Sequence, residues 1–147
     1  MDLKIDLVDV DGYQLKVLAL RSFYQIYKYD YIEDPSLKSR PSWANQNYVC
    51  KNILWRNDDR GEIGFAGKSA CRILKLAEIQ HLEITNTRPA KGPGSTELVA
   101  VLSLENNVDY KKEIFFERGA YFDYHEVEMI RKFSCLSIMI FADNYDC

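Results

Sequence analysis

Glu97-Leu-Val-Ala-Val-Leu-Ser-Leu-Glu-Asn-Asn-Val-Asp-Tyr-Lys-Lys-Glu-Ile-Phe-Phe-Glu117 decides the class of fold. Two β-prone runs, Glu97 to Leu104 and Lys111 to Glu117, flank a polar connection from Glu105 to Tyr110. Aliphatic and aromatic residues fit a pleated, half-buried surface, and a short polar link joins such runs into a hairpin. Downstream, Asp123-Tyr-His-Glu126 has the form of a capping box, with Asp in place of the commoner Ser or Thr. It opens a short helix with Val127 and Ile130 on one face. Cys135 to Phe141 is a continuous apolar run and reads as a buried central strand.

Upstream, residues 3 to 10 alternate apolar and charged with one slip at Leu7-Val8, and Asp11-Gly12 follows. Asp-Gly suits a type I′ turn because both central positions need positive φ. Tyr13 to Val17 resumes the alternation, so a first hairpin is expected. A helix from Gln14 to Lys28 competes, since Leu15, Leu18, Ala19, Ser22, Phe23 and Ile26 also fall at helical spacing. Residues 33 to 47, with two prolines and many small polar residues, read as a long surface loop. Tyr48 to Trp55 is β-prone, Asn57 to Gly61 is a turn, and Glu62 to Ala66 is a strand. Ser69 to Gln80 is expected to be a helix capped by Ser69, with Ala70, Ile73, Leu74 and Ala77 on one face. A long strand is the alternative there. His81 to Thr87 is β-prone, and Arg88 to Ser95 is a flexible connection.

The expected architecture is α+β: a single globular domain over residues 1–147, mainly antiparallel sheet with one or two helices. An all-β fold is the alternative. The composition agrees with a folded domain, at 47% hydrophobic and 13% aromatic residues, and is far from that of a disordered chain. Net charge is −3 and the basic residues are scattered, so the electrostatic footprint of a nucleic-acid binder is missing. The beginning of the chain carries no apolar leader, and the longest apolar run is far short of a membrane span. Cys50, Cys71, Cys135 and Cys147 match no zinc or redox spacing. A reducing, cytoplasmic compartment is expected, with a Cys50–Cys71 disulfide left open.

Gly61 to Ser69 looks like a phosphate-binding loop, but Gly61 stands one residue too far from Gly67-Lys68-Ser69 and Gly64 too near. A one-residue error re-aims the backbone N–H groups that must surround a single anion. Asp123, His125, Glu126 and Glu128 are the densest set of metal-ligand types, yet three of them do not share a helical face. Cys50 with His81 or His125 lacks local support as a nucleophile pair, and no Gly-x-Ser-x-Gly elbow occurs. Asp58-Asp59 and Glu33-Asp34 lie in turns, where solvated acids are the rule. No catalytic residue, metal or cofactor is assigned.

The remaining feature is Tyr24-Gln-Ile-Tyr27-Lys-Tyr29-Asp-Tyr31-Ile-Glu33-Asp34. Tyrosine brings large apolar area, a polar tip and little entropy to lose, which suits a protein interface. Glu33 and Asp34 add charge that would steer a basic partner. The plainer reading is that these rings cover the edge of the core with their hydroxyls in water. The function expected is therefore a non-catalytic protein-binding domain, of the inhibitor or immunity type, that neutralises a basic partner protein. Tyr24, Tyr27, Tyr29, Tyr31, Glu33 and Asp34 would form the contact, unless that face closes a homodimer instead. A small hydrolase or nuclease-like enzyme using His125 with nearby carboxylates is the alternative.

Overall fold

A computed structural model describes residues 4–20, 38–49, 51–67, 70–89, 95–103, 110–118 and 124–145. Among them, one sheet has the strand order β1-β2-β4-β5-β6-β3 and a second has the order β10-β7-β8-β9. The strands of the first are β1 (Ile5–Val10), β2 (Tyr13–Ala19), β3 (Lys38–Ser39), β4 (Ile53–Asn57), β5 (Glu62–Ala66) and β6 (Ala70–Lys75). Those of the second are β7 (Ile79–Pro89), β8 (Ser95–Ser103), β9 (Tyr110–Arg118) and β10 (Ile138–Tyr145). Helix α1 (Ser42–Asn47) lies between β3 and β4, and helix α2 (Tyr124–Ser134) between β9 and β10. Every pair is antiparallel except β10 with β7. This is the mainly antiparallel α+β architecture that the hairpin of 97–117 implied.

The inner strands of the first sheet are buried on both faces. Leu18, Leu54, Ile63 and Phe65 pack against Leu82, Ile84, Leu98 and Ala100 of the second sheet and against Val127, Ile130 and Phe133 of α2. On the opposite face Leu15, Val17, Ile53, Trp55 and Cys71 pack with Ala44 of α1 and with Tyr48. Strand alternation produces this division, because successive side chains leave opposite faces of the sheet. The Asp11-Gly12 turn forms as expected, with φ of 49° and 83°, and Gly61 closes the 57–61 turn at φ 63°. Asn57 holds that turn by accepting the Arg60 amide on its side-chain oxygen at 3.2 Å.

Three expectations give way. Ser69 to Gln80 is not a helix: β6 runs through Lys75, and a single 3-10 turn, Leu76–Glu78, leads into β7. Both faces of β6 are lined by apolar groups, with Cys71 and Ile73 toward one cluster and Leu74 toward the other. A strand covered on both sides loses its polar alternation and can imitate helical spacing. The loop predicted over 33–47 contains α1, a short helix whose Trp43 meets Trp55 edge to face at 5.4 Å. Tertiary contact supports what so short a sequence could not.

The third correction concerns Cys135 to Phe141. It is no central strand, because β10 forms an edge of the second sheet. Chain order explains the position: α2 carries the chain from β9 at one edge to β10 at the other, parallel to β7. Met139, Ile140 and Phe141 are consequently 47%, 54% and 41% exposed.

Of the competing readings for 14–28, the strand holds through Ala19 with Leu20 after it, and residues 21–28 lie outside the described residues. Asp123, Lys68, Ser69 and Cys50 also lie outside them. Among the described residues, no helix is long and apolar enough to cross a membrane.

Candidate interaction surface

Tyr24, Tyr27, Tyr29, Tyr31, Glu33 and Asp34 lie outside the described residues, but both flanks of their segment are fixed. Before it, Leu20 is buried and donates its amide to the Asn52 carbonyl at 2.8 Å. After it, Lys38 and Ser39 pair with Cys71 and Ala70. These anchors are the residue that follows β2 and strand β3 itself, and β2 and β3 are separated in the sheet by β4, β5 and β6. At the usual strand spacing the separation is roughly 19 Å.

The exit anchor is organised by Arg40, a buried guanidinium. It donates to the carbonyls of Lys51 at 2.8 Å, Gly67 at 2.7 Å, Tyr48 at 2.5 Å and Ala44 at 3.3 Å, and to the side-chain oxygen of Asn45 at 2.8 Å. The planar fork of arginine can serve several acceptors from one rigid group. It ties α1, the approach to β4 and the exit of β5 to the end of β3. Tyr48 secures the same region from the other side, donating its hydroxyl to Asp6 at 2.9 Å. Burial first, and then the hydrogen bond and charge of Asp6, hold the Tyr48 phenol protonated well beyond its ordinary range.

This geometry also disposes of the phosphate-loop resemblance. Gly67 follows β5, and β6, an antiparallel strand, comes next where a phosphate loop needs a helix. The Gly67 carbonyl is engaged by Arg40. Gly64 has a packing role: it faces Trp55 across the ladder, and a Cβ there would fall inside the indole ring.

His125 is exposed in the first turn of α2, whereas Glu126 is fully buried and Glu128 pairs with Arg131. The structure therefore separates these neighbours and does not gather them. Among the described residues, no three His, Cys, Asp or Glu side chains come together as a metal set. Cys71 is a free, buried thiol that donates to the Ser39 carbonyl at 3.3 Å. Burial raises its pKa against the weaker opposing pull of Lys38 and Arg40.

One polar group escaped sequence reading. On the second sheet, Glu83 meets His81 Nε2 at 3.1 Å and Lys112 Nζ at 3.0 Å. Burial acts to raise the Glu83 pKa, but the hydrogen bonds and charges of His81 and Lys112 outweigh it and leave the carboxyl lowered. Two-residue spacing on a strand puts His81 and Glu83 on one face, a signal present once 81–87 is read as β. Lys112 reaches them across β8, which no local pattern announces. The cluster can hold a carboxylate ionised and oriented. Large apolar side chains are exposed elsewhere: Ile5 and Leu7 of β1, Val49, Tyr124 at the start of α2, and the consecutive Met139, Ile140 and Phe141 of β10.

No curated protein and no solved structure matches this chain. A family model does, described as the PM0294 C-terminal domain and matching residues 15–145. The match runs from within β2 to the end of β10, and so takes in both described helices and every described strand except β1 and the start of β2. With the family model covering nearly the whole described fold, the chain belongs to the PM0294 C-terminal domain family.

Proposed function

We propose that this domain is a non-catalytic binding protein, of the inhibitor or immunity type, that neutralises a basic partner protein in the cytoplasm. The observation that carries the reading is the tyrosine-rich segment ending in Glu33-Asp34. It is supported by the rigid attachment of that segment's flanks, at Leu20 on one side and at β3 with Arg40 on the other. A segment held at both ends loses less entropy on binding than a free tail. Aromatic rings supply the buried contact area, and the acids steer the approach of a basic surface.

The test is to recover the partner by co-purification from the native cell. Tyr24→Ala, Tyr27→Ala, Tyr29→Ala and Tyr31→Ala are then measured against it, with folding checked by circular dichroism. A hot-spot ring costs about 2 kcal/mol or more of binding energy. Reversing Glu33 and Asp34 slows association, and added salt masks the difference. Four folded variants that bind as tightly as the parent would place the interface elsewhere. Variants that all unfold would assign the rings to the core.

A further inference from the structure

Among the described residues, four strands bound the two sheets, and three of them carry recognised protection against pairing with other chains. β3 is two residues long. β9 presents exposed Lys111 and Lys112, and its register shifts against β8 between Leu98 and Val99. β1 alternates its apolar residues with Asp6 and Asp9. Among the described residues, β10 has none of these devices over residues 138 to 142. It is eight residues long, pairs with β7 without a shift, and contains no charged residue from 138 to 142.

We propose that β10 pairs antiparallel with β10 of a second copy of this chain, about a two-fold axis at Ile140. The inference concerns a different surface from the tyrosine segment and stands independently of the partner-binding reading. Its basis is the direction of the backbone groups. The Leu82 amide donates to the Ser137 carbonyl at 2.9 Å, and Ile138 is the register partner of Leu82. In a parallel ladder, alternate residues turn their N–H and C=O toward the same neighbour. Residues 137, 139 and 141 therefore bond toward β7, while Ile138, Ile140 and Ala142 turn theirs to the open edge.

A second β10 can satisfy those groups only where outward residues meet outward residues. With Ile140 opposite its own copy, Ile138 falls opposite Ala142, and Met139 opposite Phe141. A one-residue slip aims the bonding side of one strand at the non-bonding side of the other. A two-residue slip in one sense sets Met139 opposite Asp143. In the other sense it sets Ser137 opposite Phe141 and pushes position 142 beyond the partner strand. The Ile140-centred register alone matches the whole uncharged stretch to itself, and it opposes no like charges.

The side-chain rows agree. Ile138 and Ile140 lie in register with buried Leu82 and Ile84, so pairing extends an existing core row into the second copy. A partner selected by charge would find none from 138 to 142. The contact is smaller than the roughly 800 Å² per partner of a standard interface, so association is weak and depends on concentration.

Sedimentation velocity on the full chain, from about 5 µM to about 500 µM, tests the proposal. The average mass should rise from the 17.1 kDa monomer toward twice that value. Ile140→Lys places two ammonium groups on the axis and should weaken association by at least about tenfold, consistent with like charges opposed across a strand pair. Ala142→Pro is the second variant. It removes an outward donor and leaves the β7 ladder bonded, so it should stay folded by circular dichroism and remain monomeric. A parent chain that is monomeric throughout the range overturns the proposal, including one that captures a strand of another protein instead. So does a dimer that persists in either folded variant.

Discussion

Ile53-Leu54-Trp55 and Met139-Ile140-Phe141 are both uninterrupted apolar triplets within strands, yet they meet opposite fates. The first is 0%, 1% and 5% exposed, and the second is 47%, 54% and 41% exposed. The difference lies in what covers each face. β4 sits inside the first sheet, with α1 and Tyr48 on one side and the second sheet with α2 on the other. β10 has β7 beside it and, among the described residues, no strand beyond. An unbroken apolar run states that both faces tolerate burial. It does not state that both faces receive it.

The sharpest test of this contrast is a pair of truncations. Leu54→Ala should cost about 2–5 kcal/mol in urea denaturation, the range for a fully buried leucine. Ile140→Ala, measured at low protein concentration, should cost less than about 1 kcal/mol, as partly exposed positions do. Equal losses would break the comparison.

Next in size is Gly64→Ala. The added methyl would enter the Trp55 ring, so the indole must move from its contact with Trp43. A loss of about 1–3 kcal/mol is expected, with a change in near-ultraviolet circular dichroism from the displaced tryptophan. An unchanged midpoint would show that the centre of the first sheet is looser than its burial implies.

Cys135→Gly should act in the opposite direction. Cys135 follows the last turn of α2 at φ 57°, a conformation that favours glycine, and its side chain is exposed. Its amide already closes the helix on the Arg131 carbonyl at 2.9 Å. Glycine there should stabilise the protein by about 0.5–1 kcal/mol in thermal denaturation. A loss would mean that the thiol contributes packing of its own.

The smallest effect belongs to Glu83. Its carboxyl is lowered from the ordinary value of 4.5, so its stabilising contribution is complete above that pH. The contribution is lost as pH falls through the lower folded value. Glu83→Gln should flatten the acid side of the stability profile by less than about 1 kcal/mol, since Lys112 is half exposed. An unchanged acid limb would show that His81 and Lys112 do not hold the carboxylate in solution.

The first hairpin was legible because Asp11-Gly12 demands positive φ whatever surrounds it. The 62–66 strand and the β8–β9 pair were legible because turn residues and short polar links are local signals. The α2 helix was legible in Val127 and Ile130, which are both buried as their spacing required. The proposed contact residues from Tyr24 to Asp34 were legible only as composition. That is a statement about chemistry and not about position.

Tertiary structure decided the rest. It made β6 a strand, because two apolar layers cover it and erase the alternation that would have marked it. It made α1 a helix, because buried Arg40 and the Trp43–Trp55 contact stabilise a segment too short to fold alone. It also placed β10 at an edge, because position in a sheet depends on where α2 delivers the chain. Local sequence sets turns, caps and periodicity through near-neighbour sterics, whereas the cover on each face and the order of strands are properties of the assembled layers.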